Sequence, residues 1–180
     1  LTLPVPAMAS GGDILPLMPE EAVVAAVTEA DIEAEKALAA AITPGVDLPV
    51  KSAVLMDQGS GTILYAENED VQLPPASITK VMSLLLVMEA IDSGKISLTD
   101  KVVCSDTAAA YGGSQIWLKP GEEMTVDDLL KAAAISSAND ATVCLAEYVA
   151  GSEEAFIGLM NQRAAELGMA NTTFRCAAGL

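Results

Sequence analysis

The chain has 180 residues, with 9 Lys and Arg against 25 Asp and Glu; its formal net charge of -16 leaves no basic stripe to neutralise phosphates and excludes a nucleic-acid binder. Its length suits one domain with a real core, not two. Histidine is absent, which removes the Ser-His-Asp triad, the Cys-His dyad and every His-ligated metal site, so any hydrolytic chemistry needs another base.

Aromatics make up only 3% of a chain that is 52% hydrophobic, so the core is expected to be helix-rich and built from Ala, Val, Leu, Ile and Met. In chain order, residues 1 to 9 end in Ala7-Met8-Ala9, a small-x-small pattern read as the remnant of a secretory signal peptide. Residues 10 to 50 read as a linker with a peripheral helix over 20 to 42, closed by Thr43-Pro44-Gly45. From Lys51 two short β-type runs flank Gln58-Gly59-Ser60-Gly61, a hairpin signal. After Pro74-Pro75, the spacing of Val81, Leu84, Leu85, Met88 and Ile91 predicts a core helix closed by Ser93-Gly94.

Two further helical runs, Val126 to Ala134 and about Ala138 to Val149, are hinged at Ile135-Ser136-Ser137. A last amphipathic run, Glu153 to Leu167, carries Phe156, Leu159, Met160, Ala164 and Leu167 on one face. Cys104, Cys144 and Cys176 form no C-x-x-C pair and read as small packed thiols, and no metal or other cofactor is expected.

Chemistry concentrates at Ser77 and Lys80. Three residues apart on a helix they share a face, so hydroxyl and amine stand side by side at its N-terminal turn. Desolvation and a positive helix end both disfavour ammonium, and a neutral lysine can act as base for a serine. The bland alternative is a serine N-cap beside a solvated lysine. Lys80 alone among the lysines has a serine three residues before it. The second element is Ser137-Ala138-Asn139, the only S-x-N in the chain, at the break between two helices. Its hydroxyl and amide can relay a proton and hold an amide substrate; its bland alternative is again an N-cap, at Ser137.

From Ser52 to Leu180 the text, including "LPPASITKVMSLLLVMEAI" and "GGSQIWLKPGEEMTVDDLLKAAAISSANDA", resembles the serine D-alanyl-D-alanine carboxypeptidases, the low-molecular-mass penicillin-binding proteins of the S11 peptidase family. The resemblance implies an α/β (α+β) fold of the β-lactamase/DD-peptidase type, a helical subdomain with the first strands of an antiparallel sheet, over residues 51 to 180. It implies that Ser77 is the acylated nucleophile, Lys80 its base, Ser137 a catalytic partner and Asn139 a substrate-binding residue. The implied partners are peptidoglycan stem peptides ending in D-Ala-D-Ala and, as covalent inhibitors, β-lactams; the implied location is extracytoplasmic, with membrane association only through other parts.

Two departures stand out. No lysine is followed by Thr-Gly or Ser-Gly, so the family's third element is not found, and the text reads as a domain truncated before its later strands. Cys176-Ala177-Ala178 replaces the Asn-Pro, often followed by His, that the family usually places before Gly-Leu, and Cys176 reads as a loop substitution. Single aromatics being more often core, Tyr111 and Trp117 are left out of the site. The competing readings are a class A-like β-lactamase on the same fold and an inactive, non-enzymatic fragment.

Overall fold

The computed structural model describes residues 48–180 and, ahead of them, Ala30 alone. The expected signal-peptide remnant and the helix over 20 to 42 therefore lie outside the described residues, Ala30 apart. The chain divides after Glu69 into two compact units.

In the first unit β1 (Ala53–Met56) pairs antiparallel with β2 (Ile63–Glu67), Ala53 opposite Glu67 and Leu55 opposite Tyr65, with a bulge between Leu55 and Met56. The Gln58–Gly61 turn was legible because its geometry is local. Asp57 Oδ2 accepts from the Ser60 amide and hydroxyl, at 2.7 Å each, and the Asp57 amide donates to Thr62 O at 2.8 Å. Gly61 takes the left-handed φ of 73° that closes the loop. The Ser60 hydroxyl and amide hold the Asp57 carboxyl below its ordinary pKa. Val54, Leu55 and Met56 are exposed.

The second unit is helical, with one small ladder. A 3-10 turn (Ala76–Thr79) runs into α1 (Lys80–Asp92); β3 (Lys101–Val103), α2 (Asp106–Ala109) and β4 (Glu123–Thr125) follow, then α3 (Val126–Ile135), α4 (Asn139–Ala150) and α5 (Glu153–Glu166). Caps mark the starts. Thr125 Oγ1 accepts from the Asp128 amide at 3.1 Å ahead of α3, and Ser152 Oγ from Ala155 at 3.1 Å ahead of α5. Acidic residues fill both first turns, where the helix dipole favours them. Gly151, at φ 87°, ends α4.

At the centre lies α4, whose Ala141, Val143, Cys144, Leu145 and Ala146 are all buried. These small side chains let α1, α2, α3, α5 and β3 close around it. Leu129, Phe156 and Met160 complete the core, each worth about 1.5–3 kcal/mol of burial. Helices with short antiparallel ladders make this the mixed α+β class expected.

Three features differ from the sequence reading. The core face of α1 is Met82, Ser83, Val87 and Ala90, together with Lys80, whereas Val81 is 67% and Met88 44% exposed. The helix is apolar on every side, so periodicity alone does not pick its inner face. Along α5 and its C-cap, Phe156, Met160 and Ala164 are buried as expected, but Leu159 and Leu167 are not. The β3–β4 ladder, with Val102 opposite Met124, was not anticipated, because three-residue strands are too short to carry a pattern.

Candidate active site

Pro74-Pro75 block a helical start, and the chain turns through Ala76 at a φ of 49° into the 3-10 turn that carries Ser77. Continuing into α1, the helix places Lys80 Nζ 3.1 Å from Ser77 Oγ. Ser77 is exposed, but Lys80 is only 3% exposed, and its Nζ donates to the Ala178 carbonyl at 2.9 Å. Both halves of the bland alternative fail here: Ser77 is inside the turn and not a cap, and the lysine is not solvated. Burial lowers the Lys80 pKa from its ordinary range, while the nearby Cys176 sulfur acts in the opposite sense.

The second element sits where α3 gives way to α4. Ser137 holds a left-handed φ of 53°, a conformation that costs a non-glycine residue roughly 1–2 kcal/mol. It does not cap α4, since the N-cap position is Ala138 and carries no side-chain bond. Its hydroxyl is thus not spent on the helix, as the bland alternative required. Asn139 is 3% exposed; its amide nitrogen donates to Ser114 O and its Nδ2 to Gly112 O, both at 2.7 Å. Asn139 Oδ1 is buried without a hydrogen-bond partner among the described residues. Next to it, the buried Asp140 accepts from the amides of Ile116 at 3.2 Å and Leu118 at 3.0 Å. Between those amides Trp117 stands out at a φ of 59° and 78% exposure, which removes it from the core that a lone aromatic suggests.

Residues 176–180 join the two elements. Besides the Ala178 carbonyl on Lys80, the Ala177 carbonyl accepts from Ser83 Oγ at 2.6 Å. Gly179, at φ 84°, lies so close to the 3-10 turn that a Cβ there would be 1.9 Å from Ala76 O. A Cβ on Gly113 would sit 2.6 Å from Asn139 Nδ2 and 3.3 Å from Leu180 Cδ2. Of the four residues expected from sequence, Ser77 and Lys80 are directly hydrogen-bonded, and Gly113 lies close to both Asn139 and Leu180. Among the described residues, the hydrogen-bond partners of Lys80 are Ser77 and Ala178, and Ser137 is not one of them. Sequence reasoning missed the supporting residues Ser83, Gly113 and Gly179; only Ser83, three residues beyond Lys80, repeats a visible spacing.

A sequence profile for the S11 peptidases, described as D-alanyl-D-alanine carboxypeptidase, matches residues 35–180. The chain belongs to the S11 peptidase family. Its relatives include D-alanyl-D-alanine carboxypeptidase DacF of Bacillus subtilis, 55% identical over 72% of this chain and 33% of that protein, and DacC of Escherichia coli, 46% identical over 76% and 35%. Among solved structures, the S11 chain resembles the carboxypeptidase DacD of Francisella tularensis with a TM-score of 0.73 and 39% identity, covering 75% of this chain and 33% of that one. Penicillin-binding protein D2 of Listeria monocytogenes, solved in its ampicillin-bound form, gives 0.68 at 31% identity, over 77% and 55%. The chain therefore shares the DD-peptidase fold over its matched part and spans about a third of the length of these carboxypeptidases.

Proposed function

We propose that the intact protein is a serine D,D-carboxypeptidase that removes the terminal D-alanine from peptidoglycan stem peptides on the extracytoplasmic side of a bacterial cell. The observation that carries this reading is the buried amine of Lys80 at 3.1 Å from the exposed hydroxyl of Ser77. An amine held away from water gives up its proton more readily, and a neutral Nζ at that distance can take the Ser77 proton.

In the proposed sequence Ser77 Oγ attacks the carbonyl between the two D-alanines as its proton passes to Lys80 Nζ. The tetrahedral oxyanion is met by the Ser77 backbone N–H, with a second donor from elsewhere in the intact protein. The C–N bond then breaks, D-alanine leaves with a proton returned to its nitrogen, and an ester remains on Ser77. Water, deprotonated by the same amine, attacks that ester and restores the serine. Asn139, with its Oδ1 free to accept, is assigned to the substrate amide, and the Ser137 hydroxyl to proton relay. A β-lactam would enter by the same attack, its opened ring staying attached to Ser77 after acylation.

The test is to incubate the intact protein with a fluorescent penicillin, map the adduct by peptide mass, and measure D-alanine release from a D-Ala-D-Ala peptide. An adduct on Ser77 with D-alanine release is expected. No adduct, or one on another residue, would sink the reading; fast penicillin turnover without D-alanine release would favour a β-lactamase.

A further inference from the structure

Resting on that reading, we propose that Glu153 is a positioning residue for both halves of the cluster, a single carboxylate oxygen tying the segment that holds Asn139 to the segment that holds Lys80. Glu153 Oε1 accepts from Tyr111 Oη at 2.8 Å and from the Ala177 backbone amide at 2.9 Å. Tyr111 directly precedes Gly112, whose carbonyl takes Asn139 Nδ2 at 2.7 Å. Ala177 directly precedes Ala178, whose carbonyl takes Lys80 Nζ at 2.9 Å. One atom is thus linked to each of these site residues by two hydrogen bonds with a stretch of chain between them, although the two lie 59 positions apart in sequence (139 − 80).

Ala177 is fixed on both sides, its amide by Glu153 and its carbonyl by Ser83, and both Ala177 and Ala178 are buried. Hydrogen bonds to an ionised carboxylate are the stronger kind, and losing one partner leaves a buried amide unpaired. Burial against Glu153 also holds the Tyr111 phenol well above its usual pKa, so it stays a donor across the working range. Glu153 starts α5, capped by Ser152, so the brace is anchored on a regular element. Among the described residues Glu153 makes no hydrogen bond or ion pair to Ser77 or Lys80, and its effect has to pass through Ala177 and Tyr111.

The test compares acylation by a fluorescent penicillin across pH 5 to 9 in the intact protein and in Glu153→Ala, Glu153→Gln and Tyr111→Phe. In Glu153→Ala the rate is expected to fall roughly ten- to hundredfold, the loss of two charge-assisted bonds. Its pH midpoint is expected to rise, because a loosened 176–180 segment admits water to Lys80 and burial is the leading cause of that amine's lowered pKa. Cys176 is the other titratable group acting on Lys80, and its thiol is unchanged in all three variants. Glu153→Gln keeps an oxygen acceptor without the charge, so it is expected to restore most of the rate and the midpoint. Tyr111→Phe removes one bond and leaves the carboxylate, and should move both in the same direction by less.

Normal rates in Glu153→Ala, or a uniform slowing with the midpoint unmoved in both Glu153→Ala and Tyr111→Phe, would overturn the proposal. If Glu153→Ala does not melt cooperatively, Tyr111→Phe decides it, and a normal rate and midpoint there would overturn the proposal. Absence of label on Ser77 in the unsubstituted protein would instead count against the carboxypeptidase reading beneath it.

Discussion

The turn that carries Ser77 and Lys80 and the corner that carries Ser137 and Asn139 are built on opposite plans. In the first, the reactive groups are spent on each other and on Ala178: amine to hydroxyl at 3.1 Å, amine to carbonyl at 2.9 Å. In the second, the Asn139 backbone amide is fastened to Ser114, its Nδ2 to Gly112, and the amides of Ile116 and Leu118 to Asp140, while Asn139 Oδ1 has no partner among the described residues and Ser137 does no capping. On the proposed mechanism the difference separates two tasks. A nucleophile and its base must be tuned before substrate arrives, whereas groups that grip substrate must keep capacity in reserve.

The largest effect expected from breaking this contrast is at Ser77, where Ser77→Ala should abolish the covalent penicillin adduct altogether, read on a denaturing gel. Next, Lys80→Ala should slow acylation by roughly 10²–10⁴ with the protein still folded, the usual loss for a general base. Lys80→Arg should not rescue it, since a guanidinium does not release its proton. The unsubstituted protein should show a rate that climbs with pH: below the Lys80 pKa the amine is protonated and has no lone pair, above it the base is present. Because burial lowers that pKa, the climb should fall below the ordinary lysine range, and a flat profile from pH 5 to 9 would contradict a lysine base.

At the other corner the effects should be smaller and should fall on substrate more than on the nucleophile. Asn139→Ala should cost roughly ten- to hundredfold in kcat/KM for a D-Ala-D-Ala peptide, about 1.4–2.7 kcal/mol, an amount typical of losing a well-placed hydrogen bond to substrate. The smallest is at Ser137, where Ser137→Gly relieves a left-handed serine and should raise stability by about 0.5–1 kcal/mol by thermal melting, at a loss of turnover. A Ser137→Gly variant that gains no stability would show that the corner is not strained.

What could be read from the sequence follows the range of each interaction. Ser77 and Lys80 are three residues apart, the α3–α4 break falls on Ser136-Ser137, and the amphipathic run from Glu153 announces α5, so local pattern placed all of them. Ala178 on Lys80, Ala177 on Ser83 and Gly113 against Leu180 join residues far apart in the chain, and no local pattern marks them. The inner face of α1 was misread for a related reason: an all-apolar helix is oriented by its partners, and here the lysine faces inward with Ser83. Trp117 is the converse, a large aromatic held outward because its flanking amides are fastened to Asp140.

The hydrogen bond from Lys80 to Ala178 spans 98 residues of sequence, and that distance imposes an order of events during synthesis. While the ribosome has not yet released residue 178, the nascent chain carries the complete serine–lysine text but not the burial that lowers the pKa of the amine. On the proposed mechanism, then, the nucleophile is armed by the closing of the fold, long after its own codons have been read.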